Sequence, residues 1–181
     1  METKAAPTQR FAGVEPRWSV DSLLRMAQQH HMQLSMMADN KASMLITISS
    51  IALTVALSRA GDTAMRPALL TLAAACLLSL LLAIIAVLPS FDESGPLGAG
   101  SKPRNILFFG HFALMNEDAY MAEMERIIAS DPLVYETAVR EIHSLGSYLY
   151  RKKYRFLRYA YVALLAGFIL ATGVEVWVRW L

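Results

Sequence analysis

Ala68 to Leu88 reads ALLTLAAACLLSLLLAIIAVL, 21 residues without a charge. A helix rises about 1.5 Å per residue, so this run reaches roughly 31 Å, the thickness of a bilayer's hydrocarbon core. It is apolar all the way round and has no polar face to offer water. In lipid, helix is the form that satisfies its backbone groups within one segment. The run is therefore expected to span a membrane, with Pro67 tolerated in its first turn and Pro89 ending it. With 55% hydrophobic residues and 18% charged ones, the composition excludes an ordinary soluble domain.

Two further runs flank this one. Met44 to Ser58 (MLITISSIALTVALS) is uncharged, and counted from Ala42 it has 17 residues, the short end of a spanning helix. Residues 59–67 (RAGDTAMRP) are a polar turn, so 42–58 and 68–88 form a two-span hairpin. Tyr159 to Val178 is a third run of 20 residues, with Tyr159 and Tyr161 at one end and Trp177 and Trp180 at the other as interfacial aromatic belts. Ser49, Ser50, Thr54 and Gly167 are small enough to let helices approach closely, and Gly173 joins Gly167 as a candidate contact. Glu175 is expected to pair with Arg179 four positions on.

Outside the spans, residues 1–18 read as a loose tail and 89–104 as a linker. Nothing in the tail resembles the apolar core of a secretory signal. Residues 19–41 form an amphipathic helix with Leu23, Leu24, Ala27, His31, Leu34 and Ala38 on its apolar stripe. Asn105 to Phe112 (NILFFGHF) is too short to span and could be a strand, a helix start or an interfacial segment. Asn116 caps a helix whose apolar face is Tyr120, Met124, Ile127 and Ile128; Asp131, as cap, and Pro132 start another that runs through Tyr135, Val139, Ile142, Leu145, Gly146 and Leu149 to a basic patch, Arg151, Lys152, Lys153, Arg155 and Arg158. The fold expected is an all-α membrane protein with three transmembrane helices, a two-span hairpin plus a C-terminal span, and a small cytoplasmic helical region at 105–158. Of the 17 lysines and arginines, 14 fall on the side holding residues 1–41 and 89–158, so that side is expected to be cytoplasmic and the C-terminus periplasmic.

No Walker loop, GxGxxG, GxSxG or HExxH pattern is present, and His30 and His31 point about 100° apart on a helix and cannot chelate one ion together. Neither an enzyme nor a metal or resident cofactor is expected, nor a nucleic-acid partner. Cys76 is alone, so no disulfide forms within the chain. Polar chemistry gathers where the first and third spans leave the cytoplasmic side. Basic residues there are first of all what positive-inside orientation and anionic headgroups require. Asp39 is what that explanation does not require, since a carboxylate beside anionic headgroups needs a partner, so a tie to a basic side chain of the other span's approach is expected. The sharper expectation is an anion pocket for a phosphate-bearing ligand, drawn from Asp39, Asn40, Lys41, Asn105, Arg151, Lys152 and Arg155.

ADNKASMLITISSI (Ala38 to Ile51), the hairpin, NILFFGHF with its acidic following helix, and SLGSYLYRKKYRFLRYAYVALLAGFI (Ser144 to Ile169) together resemble the transmembrane effector of the pyrimidine cyclase antiphage system, Pycsar. The likeness runs from about Ser19 to the end of the chain. It implies a bacterial inner-membrane protein with a companion cyclase that makes cyclic UMP or cyclic CMP during phage infection; the effector then impairs membrane integrity and stops the infected cell. It carries over no ligand contacts, and no cyclic-nucleotide-binding β-roll pattern is evident in the sequence. Partners expected on this basis are lipid, the cyclic pyrimidine nucleotide and further copies of the chain, because three spans do not readily enclose a pore. The rival reading is a membrane-anchored scaffold without a ligand, whose cytoplasmic helices dock a protein through an exposed apolar stripe on 133–149.

Overall fold

The computed structural model describes residues 10–61, 63, 65–88 and 105–180. The first nine residues of the tail, Asp62 in the hairpin turn, the linker 89–104 and the stop at Pro89 lie outside the described residues. Of the described residues 84% are helical and none lies in a strand. Three helices among them are long and apolar enough to cross a membrane.

Helix α1 runs Trp18–Ser58 without a break. The sequence reading cut it at residue 41, but no Gly or Pro interrupts 18–58, so the polar stretch Ala38 to Ser43 changes the helix's surroundings and leaves its backbone alone. Helix α2, Arg66–Val87, has its proline in the first turn, and the chain turns extended at Leu88. The octet is not a strand. The Asn105 side-chain oxygen accepts from the Leu107 amide at 3.1 Å, which bends residues 105–108 into a turn that leads into a short helix α3, Phe109–Phe112. Helix α4, Glu117–Ile128, is capped by Asn116, whose oxygen accepts from the Asp118 amide at 3.2 Å. Helix α5, Asp131–Tyr148, includes Asp131 as its first residue, where the sequence reading had it as cap. A π-helical turn, Leu149–Tyr154, follows, and α6, Arg155–Trp180, completes the chain.

The described chain divides into two compact units, 10–32 with 105–147, and 33–88 with 148–180. In the first, α1 and α5 run the same way: the Tyr135 hydroxyl donates to Asp21 Oδ1 at 3.1 Å, Gln28 Nε2 donates to Glu141 Oε2 at 3.1 Å, and His31 lies where a side chain at position 146 would stand, 3.1 Å from an added Cβ. Leu24, Ala27 and His31 keep the inward spacing, but Leu23, one position earlier and so about 100° round the helix, is 58% exposed. The same geometry buries Ile127 on α4 and leaves Ile128 outside.

The second unit is a three-helix bundle of the remaining part of α1 with α2 and α6. Its centre holds Ala38, Ala42, Leu45, Cys76, Ala83, Ala86, Leu157, Ala160 and Leu164. Ile48, Ile51, Leu77, Leu81, Leu165 and Ile169 face outward. Small residues inside and large apolar residues outside is the arrangement of a bundle solvated by lipid, where close backbone approach replaces hydrophobic burial as the source of packing. At Gly167 a Cβ would come within 2.2 Å of the Ala75 Cβ, so α2 and α6 touch there only because position 167 has no side chain. Ser49 Oγ donates to Ser79 Oγ at 3.3 Å and Ser79 Oγ donates to the Ala160 carbonyl at 2.8 Å, which joins all three helices through buried hydroxyls. Gly173 has nothing within 4 Å, and Ser50 and Thr54 face outward along a shallow groove with Ile51 and Val55. Of the small residues singled out from sequence, then, Ser49 and Gly167 are used inside the bundle and the others are not.

Candidate functional site at the membrane boundary

The expected tie of Asp39 to a basic residue is present, and the partner is Lys153. Its ammonium donates to Asp39 Oδ1 at 2.7 Å, Asp39 Oδ2 at 2.8 Å and Ser35 Oγ at 2.9 Å, so its donors meet three acceptors within α1. The Lys153 side chain is 13% exposed and that of Asp39 44%. One residue on, the Tyr154 hydroxyl donates to the Leu34 carbonyl at 3.1 Å, and two turns further the Tyr161 hydroxyl stands 3.4 Å from the Lys41 carbonyl. These contacts ascend both helices together, so α1 and α6 run parallel, as first and third spans must.

The π turn places Lys153 there. Buried positions Leu157, Leu164 and Ala171 repeat every seven residues along α6, but Leu149 and Leu157 are eight apart. An α-helix turns about 100° per residue, so eight positions overshoot two turns by about 80°. The wider π turn, with its i to i+5 bonding, takes up the extra residue and lets Leu149, Lys153 and Leu157 share the inward face. The other cations of the patch, Arg151, Lys152, Arg155 and Arg158, are exposed, as are Asn40 and Lys41. Arg155 lies 5.9 Å from the Phe156 ring centroid, and none of these five cations has a carboxylate partner among the described residues.

Asp39, Asn40, Lys41, Arg151, Lys152 and Arg155 therefore belong to one unit, on the two stretches of helix that the Asp39–Lys153 tie joins. Asn105 belongs to the other unit. It is 8% exposed, its side-chain oxygen is taken by the Leu107 amide, and its carbonyl lies 3.3 Å from His111 Nδ1. Sequence reasoning placed Lys153 in the basic patch without putting it among the ligand residues, and it missed Ser35. The signal for Ser35 was its position four residues before Asp39, one helical turn below on the same face. In the first unit, burial pushes the Glu141 carboxyl above the usual range, opposed by the Gln28 amide, and burial, followed by donation to Asp21, pushes the Tyr135 hydroxyl up.

The Pycsar effector protein domain matches residues 22–179, from the second turn of α1 to one residue short of the end of α6. The chain belongs to the Pycsar effector family. This Pycsar effector has an antiphage role and is a multi-pass membrane protein. The match takes in both units and all of the residues placed at the boundary. No curated protein and no solved structure matches the chain.

Proposed function

We propose that this Pycsar effector answers a cyclic pyrimidine mononucleotide, cyclic UMP or cyclic CMP supplied by a companion cyclase, by impairing the bacterial inner membrane, and that it does so without catalysing a reaction. The observation that carries this reading is the turn beside the neutralised Asp39–Lys153 pair, where Arg151 and Lys152 are exposed and have no carboxylate partner among the described residues. A phosphodiester monoanion finds charge-assisted donors there, and Asn40 offers an amide for the base or sugar. Binding changes the bundle only by the ligand's differential affinity for two packings, typically about 1–3 kcal/mol. Because the inward faces of the three spans are filled, permeability would arise between copies of the chain or where protein meets lipid. The N-terminus and the region 105–158 face the cytoplasm in this reading, and the C-terminus the periplasm. The scaffold alternative calls for a continuous apolar stripe on α5, yet the exposed large apolar residues there, Val134 at 38% and Val139 at 37%, stand five positions apart.

Dye leakage from liposomes carrying the full chain tests the reading, with cyclic UMP, cyclic CMP, cyclic AMP or no nucleotide added. Release with one pyrimidine nucleotide alone is the expected result. No release with any of them, from protein shown to be folded and inserted, would overturn it in favour of the scaffold.

A further inference from the structure

On α6, Arg155, Arg158, Val162, Leu165 and Ile169 are all exposed and follow one another at spacings of three and four, so they line one face. On α1, Lys41, Met44, Ile48, Ile51 and Val55 do the same with identical spacing. Both stripes are cationic at the cytoplasmic end and aliphatic from there on. The Tyr161 hydroxyl, 3.4 Å from the Lys41 carbonyl, sets the two stripes at a common level. On a bundle with small residues inside and large apolar ones outside, such a stripe faces the acyl chains of lipid. The cation one turn before it on the same face must then point into the headgroup layer of that lipid and not into a cleft of the protein. Lys153 is the contrast: it faces inward and is neutralised within the chain, while Lys41, Arg155 and Arg158 have no carboxylate partner among the described residues.

We propose that Lys41, Arg155 and Arg158 form a site for the phosphodiester headgroups of anionic lipids. That leaves Asn40, Arg151 and Lys152 to meet a soluble phosphate. Long basic side chains reach headgroups by extending along the apolar surface, and each adds roughly fivefold to the preference for an anionic surface, so three add on the order of a hundredfold.

The test follows the melting temperature of the full chain in a zwitterionic detergent as phosphatidylglycerol, phosphatidylcholine of the same acyl chains, inorganic phosphate or cyclic UMP is added. The wild type is set beside a triple Lys41→Gln, Arg155→Gln, Arg158→Gln variant, which keeps the aliphatic stems. The expected result is stabilisation of the wild type by phosphatidylglycerol over phosphatidylcholine, weakened by salt, and a loss of about a hundredfold in apparent lipid affinity in the variant, with its answer to the soluble phosphates unchanged. Equal stabilisation of the wild type by both lipids overturns the proposal, as does a variant that keeps its lipid preference and loses its answer to cyclic UMP. Should the triple variant not fold, Arg158→Gln alone, read by the ratio of the two lipids retained in native mass spectrometry, decides the matter by the same criterion. Neither readout involves leakage, so the lipid site stands or falls separately from the proposed function.

Discussion

Removing the Lys153 ammonium leaves a carboxylate that water still reaches, since Asp39 is 44% exposed, whereas removing the carboxylate strands an ammonium that is only 13% exposed. The two halves of the tie should therefore differ on mutation. Asp39→Ala is expected to cost about 1.5–3 kcal/mol, the range for a charged hydrogen-bonding group left without its partner, and Lys153→Met clearly less. Thermal unfolding of both, with the double variant recovering most of the Asp39→Ala loss, checks this; equal losses would contradict it. Glu141 supplies a pH dependence. Its carboxyl pKa is raised in the fold by burial, so the protonated form is the favoured one: its contribution is fully present below the ordinary glutamate range and is lost as pH rises through the raised value. Glu141→Gln keeps an acceptor for Gln28 and removes that dependence. The variant should melt higher than wild type at neutral pH and no higher below about pH 4, where the wild-type carboxyl is protonated in both states.

The elements were legible from sequence wherever composition alone decides them. The start of α2 follows from a proline ahead of an uncharged run, and the cap of α4 from an asparagine followed by two acids. The π turn was not legible, because its cause is a one-residue slip between two inward-facing heptads, and which positions face inward is fixed only by the helices packed against them. Deleting Lys152 would bring Leu149 and Leu157 seven positions apart and let plain α-helix run through. That variant should fold with an unchanged or raised melting temperature and slower amide exchange over 149–157; loss of a cooperative transition would show that the extra residue is needed for more than register. Helix contact gives a second expectation. Gly167→Ala must push α2 and α6 apart against Ala75 and should cost about 1–3 kcal/mol, the range for overpacking, while Gly173→Ala meets open space and should be near neutral. Ala75→Gly placed on top of Gly167→Ala should restore most of the loss.

For the whole molecule, the three-span plan was legible because lipid leaves so few solutions for long apolar runs, whereas the site was legible only as a set of residue types. The need of Asp39 for a partner could be argued from its surroundings. Which of five neighbouring cations would supply it could not, since that depends on the turn that carries them. The uneven placement of basic residues, 14 on one side, predicts topology in cells. Alkaline phosphatase fused after residue 181 should be active and green fluorescent protein there dark, with the opposite pattern for fusions after residue 116; the reverse result would invert the whole assignment. The bundle also contains its own reporter. Cys76 is the chain's single thiol and is sealed at 0% exposure among the alanines of the three spans, so alkylating reagents should pass over the resting protein. If activation parts the helices, that sulfur becomes reactive, and the rate at which it is modified measures how often the bundle opens without any label being introduced.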